Sequence, residues 1–294
     1  MSGKSMTASS SCGRSGINDV GSPGVKVAQV ECKSALVKSR IQGMDYALNP
    51  YRGCEHGCLY CYAEFMKKYT NHDEPWGEFV DIKANAVDRL RVQTRKAKPG
   101  MVMLGTVTDA YQPIEEKQGL TRRCLEVLAG SDFPVSIQTK SDLVLRDVDV
   151  LKKIRDKEVG ITITCPDPEV MRSFEPGAAS LQKRLDALDE LARNGISTFV
   201  FVGPILPFFS DNPAALRSLF RELEKKKISR MYLDKMNYLK SKWKRIKPVL
   251  DQRYPGAVRF YQKALADDGS YTNWLRTNLE SALRDFRFES EILF

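Results

Sequence analysis

Three cysteines, Cys54, Cys58 and Cys61, stand within eight residues in the run NPYRGCEHGCLYCYA. Soft thiolate sulfur suits iron–sulfur clusters, and three thiolates on one tight loop can hold three corners of a [4Fe–4S] cube. Four irons normally take four ligands, so the C-x3-C-x2-C spacing leaves one iron open to a small molecule. The competing reading is a zinc site in which His56 joins the three cysteines as a Cys3His set. Structural zinc sites usually join two separated ligand pairs and staple a fold, which ligands confined to one short loop do poorly. A disulfide framework is disfavoured, because Cys12, Cys32, Cys124 and Cys165 are scattered and no secretion pattern opens the chain.

The rest of the chain has to position that loop. Strand-like runs fall at 46–53, 101–107, 133–139, 158–164, 196–202 and 229–233, with helical stretches between them. One helix opens at Ala84 or Asn85 and runs to about Lys98, before Pro99 and Gly100. Another is capped by Ser180, repeats Leu181, Leu185, Leu188 and Leu191 on one face, and stops at Gly195. Alternation of this kind predicts an α/β fold with a parallel sheet, six strand–helix units forming an open partial (β/α)6 barrel. Residues 1–24 hold seven Ser and five Gly and are expected to be a disordered leader. The barrel with its N-terminal approach, including a short strand at 25–30, is expected over 25–235, and a C-terminal extension of helical or mixed structure over 236–294.

With Tyr60 just before the third cysteine, the run resembles the signature of the radical S-adenosylmethionine (SAM) superfamily. The segments GTVTDAYQP, SIQTKSDLVLRD, TITCPDPEVMRSFEPGAAS and GPILPFF follow in the order seen in its spore photoproduct lyase-like branch, over about residues 45–210. The resemblance implies a partial radical SAM barrel carrying a [4Fe–4S] cluster on Cys54, Cys58 and Cys61. It also implies that the amino and carboxylate groups of SAM chelate the open iron. One electron from the cluster then splits the cofactor into methionine and a 5′-deoxyadenosyl radical.

Parallel barrels gather their chemistry at the C-terminal ends of the strands. Thr106, Thr108 and Asp109 end one predicted strand, where acceptors can meet the hydrogens of a chelated ammonium group. Gln138, Thr139, Lys140 and Ser141 end the next; Lys140 suits the cofactor carboxylate, and Thr139 or Ser141 that carboxylate or the ribose. The resemblance puts Ile205 against adenine and the backbone at Tyr60 on the adenine edge. Each has a plainer reading: a Thr-rich turn capped by Asp109, an exposed Lys140. Tyr111, expected near the substrate mouth, can stack on a base or relay a hydrogen atom, and Cys165 can donate one or simply fill the core. Glu175 serves the substrate or braces a loop, Cys124 is core, and His72 is read as a surface loop residue.

Net charge is +9, and residues 221–263 alone carry +10, with 14 Lys or Arg against four acids. Six aromatics, Tyr232, Tyr238, Trp243, Tyr254, Phe260 and Tyr261, are interleaved there. That mixture fits phosphate contacts with base stacking, or a solvated helix face with aromatics beneath it. The most apolar stretch, Ile196 to Phe209, is about 14 residues long and contains two prolines, too short and broken for a membrane span. A cytoplasmic radical SAM enzyme is therefore expected, with a reductant such as flavodoxin or ferredoxin and a DNA or RNA substrate undergoing lyase-type repair or modification. The alternatives are a maturase of a peptide or protein side chain, and a zinc-stabilised nucleic-acid binding module without turnover.

Overall fold

The computed structural model describes residues 21–294. Cys12 and most of the expected leader lie outside the described residues. Strands β1 (Lys26–Val30), β2 (Leu36–Lys38), β3 (Tyr46–Leu48), β4 (Tyr51–Gly53) and β5 (Phe79–Lys83) come first. They are followed by β6 (Val102–Leu104), β7 (Val135–Thr139), β8 (Lys157–Thr162), β9 (Ser197–Ile205), β10 (Arg230–Lys235) and β11 (Ser290–Ile292). The main sheet runs β2–β3–β6–β7–β8–β9–β10–β11, and β2 and β11 are its free edges. Every neighbouring pair in it is parallel except β2 with β3. All six predicted barrel strands are present in chain order, and the sheet stays open.

The predicted strand over 46–53 needs correction. It breaks at Asn49–Pro50, where proline has no N–H to continue a ladder. β3 stays in the main sheet, while β4 crosses to a small sheet, β1–β5–β4, and pairs antiparallel with β5. This break carries the chain off the barrel edge and delivers the cysteine loop above the C-terminal ends of the parallel strands. Asn49 fixes the corner: its Nδ2 donates to Thr106 Oγ1 at 2.7 Å, and its Oδ1 accepts from Val107 N at 3.2 Å.

Connections are made by α1 (Ala86–Thr94), α2 (Ile114–Gln118), α3 (Leu120–Ala129), α4 (Val148–Leu151), α5 (Pro168–Phe174), α6 (Leu181–Arg193) and α7 (Pro213–Glu224). Helix α6 starts where Ser180 Oγ accepts from Lys183 N, and it buries Leu185, Leu188 and Leu191 against the sheet. Gly195 follows in the left-handed region at φ +72°. The last units, α8 (Leu239–Arg253), α9 (Pro255–Ala266) and α10 (Asp268–Leu283), form the helical extension, after which β11 returns to pair with β10. No helix among the described residues is long and apolar enough to cross a membrane.

Candidate active site

The cysteine loop is held from several directions. Within it, Gly57 N donates to Cys54 O and Cys61 N to Cys58 O, both at 3.2 Å. From outside, Leu59 N donates to Phe174 O at 2.9 Å, Gly177 N to His56 O at 3.1 Å, and Glu55 N to Gln112 Oε1 at 2.8 Å. Gly177 has to be glycine, because a Cβ there would sit 2.2 Å from Glu55 O. Cys54 and Cys58 are buried and Cys61 is half-buried. Burial pushes the Cys58 thiol up to about 12, while the Lys140 ammonium pulls in the opposite direction. Cys61 is likewise raised by burial against the pull of Lys140.

His56 is turned toward Asp109 through one ring nitrogen. Its Nδ1 lies 3.3 Å from Asp109 Oδ2, and the ring is buried. Among the described residues, no three His, Cys, Asp or Glu side chains converge as a single ion requires. A cube distributes its thiolates over separate irons, so three soft donors on one loop fit a cluster.

Asp109 is the hub beneath the loop. It accepts from Thr139 Oγ1 at 2.7 Å, Lys140 N at 2.8 Å and Tyr111 N at 2.9 Å. Burial acts to raise its carboxyl, but His56, Thr139 and Lys140 together hold it below the usual carboxylate range. Thr108 Oγ1 donates to Gly53 O at 2.6 Å, and Ser141 N donates to Thr139 Oγ1 at 3.1 Å. Thr106, Thr108, Asp109, Thr139, Lys140 and Ser141 are thus brought together from the ends of β6 and β7, directly under the cysteines. Ile205, at the end of β9, is wholly buried in the main core.

A second buried network grips Tyr60. Its hydroxyl donates to Glu175 Oε1, whose carboxylate also accepts from Arg184 Nη2 and, at 3.2 Å, from Thr164 Oγ1. Arg184 in turn donates to Thr162 O at 3.0 Å and Ala179 O at 2.9 Å. Burial alone would raise the Glu175 carboxyl, but Arg184 and Lys140 hold it below its ordinary value. Of its two readings, Glu175 therefore has the brace.

These elements line a half-open cavity of about 530 Å³. Cys58, Tyr60, Cys61, Tyr62, Gln138 and Lys140 line its cluster end; Phe199, Phe201 and Tyr232 line its wall; Asp234, Lys235 and Asn237 line it at the end of β10. Lys140 Nζ stands 5.9 Å from the Tyr60 ring centroid. Sequence reading missed Tyr62, Phe201, Asp234 and Asn237. The alternation Phe199, Phe201, Gly203 along β9 and Tyr232, Asp234 along β10 was the available signal.

Other expected residues lie elsewhere. Tyr111 is wholly buried in the main core, and Cys165 is wholly buried in a second cluster that includes Cys58 and Tyr60; neither lines the cavity. His72 corrects its surface reading: it is buried, 2.9 Å from both Glu74 and Asp81, and stacked on Phe79. Much of the basic segment is paired within the chain. Lys226 meets Asp189 at 2.6 Å, Lys235 meets Asp268 at 2.7 Å, Lys242 meets Glu64 at 2.6 Å, and Tyr261 is wholly buried.

Comparison with known proteins adds to this geometry. The chain is 36% identical over 231 residues to an uncharacterized protein of Methanocaldococcus jannaschii, covering 79% of this chain and 85% of that one. It is 24% identical over 161 residues to the radical SAM Nalpha-GlyT isomerase of Pseudomonas phage M6, covering 54% of this chain and 32% of that one. Spore photoproduct lyase complexed with dinucleoside spore photoproduct superposes with a TM-score of 0.67 over 91% of this chain and 82% of that one, at 17% identity, a likeness of fold. Residues 48–220 match the family model of the radical SAM superfamily, and this chain, with its three-cysteine loop above an open parallel barrel, belongs to that superfamily.

Proposed function

We propose that this radical SAM enzyme acts on a nucleobase or its sugar within a nucleic acid. When bound, the [4Fe–4S] cluster and SAM supply one-electron cleavage of the sulfonium and a 5′-deoxyadenosyl radical that takes a hydrogen atom from a substrate C–H. Cys54, Cys58 and Cys61 are the residues that hold the cluster, and Lys140 is the cation for the cofactor carboxylate. Asp109 positions both: it fixes the backbone of Lys140 and, through His56, the cysteine loop. Tyr60 is held by Glu175 at the cluster end of the cavity, where its ring forms part of the wall.

The observation that carries the substrate class is the composition of that cavity. Rings of Tyr60, Phe199, Phe201 and Tyr232 offer flat apolar surface for a planar heterocycle, while Gln138, Asp234 and Asn237 offer hydrogen-bonding groups for its edge. One neighbour named above is a spore photoproduct lyase complexed with a dinucleoside photoproduct, which supports the same class. Flavodoxin or ferredoxin would serve as the one-electron reductant.

The test uses anaerobically reconstituted enzyme, SAM and a reductant with DNA, RNA or peptide pools from cells grown in deuterated medium. Deuterium in 5′-deoxyadenosine from the DNA or RNA pool is the expected result. Deuterium from the peptide pool alone would overturn the substrate class and favour the maturase. Cofactor cleavage that persists in the Cys58→Ser protein would overturn the ligand assignment.

A further inference from the structure

The segment directly after the third cysteine, Tyr62–Tyr69, is a 3₁₀ helix. With three residues per turn, positions 62, 65 and 68 form one row along it. Phe65 stacks on Tyr62 with ring centroids 6.4 Å apart and an interplanar angle of 29°. Lys68 Nζ then stands 5.7 Å from the Phe65 centroid and 4.8 Å from that of Tyr69. These rings are unusually open: Tyr62 is 49%, Phe65 47% and Tyr69 58% exposed.

None of this exposure serves packing. Ala63 and Met66 make the segment's contacts with the core beneath, so Phe65 and Tyr69 leave apolar area in water that polar side chains would not. Nor is the stripe a loose end. Arg52 Nη1 donates to Tyr69 O at 2.9 Å, Lys67 Nζ donates to Asp73 O at 2.8 Å, and Tyr62 Oη donates to Thr106 O. Its one acid, Glu64, is engaged by Lys242. The outward face therefore carries rings and ammonium groups on a fixed backbone. It begins at Tyr62 in the cavity wall and extends roughly 14 Å outward, at the 3₁₀ rise per residue.

We propose that Phe65, Lys68 and Tyr69 form a stacking platform for single-stranded DNA flanking the nucleotide held in the cavity. This rests on the nucleic-acid reading above. A base acted on inside a cavity must leave its stack, which leaves its neighbours in need of new π-partners. Exposed aromatic rings supply those partners without regard to sequence, and an ammonium between them suits the intervening phosphate. Lys67 and Lys68, with the segment's one acid already engaged, give the face the positive charge a phosphate backbone needs, and single-stranded DNA is the occupant to which the proposal commits.

The test is fluorescence anisotropy of the cluster-loaded enzyme with a labelled oligothymidine about a dozen nucleotides long, and with oligouridine of the same length. Phe65→Ala and Tyr69→Ala are each expected to weaken DNA binding about 5- to 100-fold. Phe65→Trp is expected to retain it, and Lys68→Ala to lower the salt slope by about one. DNA-free SAM cleavage and the melting temperature should not change in the Phe65 and Tyr69 variants. Wild-type DNA binding that neither alanine variant weakens would overturn the platform and leave the nucleic-acid reading standing. A wild-type enzyme that binds neither strand would overturn both. Tighter binding of oligouridine would overturn the assignment to DNA.

Discussion

Arg245, in the first helix of the C-terminal extension, donates through one nitrogen to Gly57 O inside the cysteine loop at 3.1 Å and to Trp76 O at 3.0 Å. A helix nearly two hundred residues downstream thus clamps the loop that carries the thiols. Truncation to Arg245→Ala removes two hydrogen bonds from a charged donor, each contributing about 1.5–3 kcal/mol to loop stability. Iron should leave the anaerobic holoprotein faster in the presence of a chelator. Lys247→Ala, which breaks only the exposed pair with Asp251, should leave that rate unchanged.

Glu175 and Arg184 are a fully buried ion pair. Glu175→Gln leaves the guanidinium without its counter-charge and should cost about 3–5 kcal/mol in urea unfolding. Tyr60→Phe removes one hydrogen bond from the same carboxylate and should cost less, about 1.5–3 kcal/mol. Because the two residues share a partner network, the double variant should cost less than the sum.

Asp211 is 1% exposed, with one oxygen accepting from Tyr271 at 3.1 Å and the other unpartnered. Burial raises its carboxyl to about 6, from an ordinary 3.8. Between those values the folded state holds the proton more tightly than the unfolded chain. Stability should therefore fall as pH rises through this window, by about 3 kcal/mol in total. Asp211→Asn, which can still accept from Tyr271, should abolish this slope and be the more stable protein at pH 8. Equal stability of the two proteins at pH 8 would count against the assignment.

Lys140→Met removes the ammonium at the cluster end of the cavity while keeping most of its apolar volume. SAM affinity should drop about 10- to 100-fold, the range for a hydrogen bond to a charged group. The expected sign is a higher SAM concentration needed to perturb the cluster's electron paramagnetic resonance signal, with iron content per chain unchanged.

The cysteine triad was legible because metal ligands on one loop are close in sequence, so their spacing alone restricts the geometry. The six barrel strands and the Ser180 helix were legible for a related reason: apolar periodicity and caps are local properties of the chain. The strand over 46–53 was misread only where Pro50 interrupts the ladder, and that local break decides where the cysteine loop goes.

What the tertiary structure decided is everything that depends on distant partners. Glu175 could brace or bind until Arg184 and Tyr60 were found beside it, and only the fold shows that Glu64, Asp189 and Asp268 pair with lysines of the basic segment. Tyr111 shares a motif with Asp109, yet only Asp109 faces the cysteine loop, since neighbouring side chains leave the backbone in different directions. The sequence by itself determined the chemistry on offer: thiols for a cluster, and a parallel barrel whose strand ends hold polar groups. Which of those groups share a cavity is a matter of Å-scale packing between segments remote in the chain, and local patterns carry no record of it.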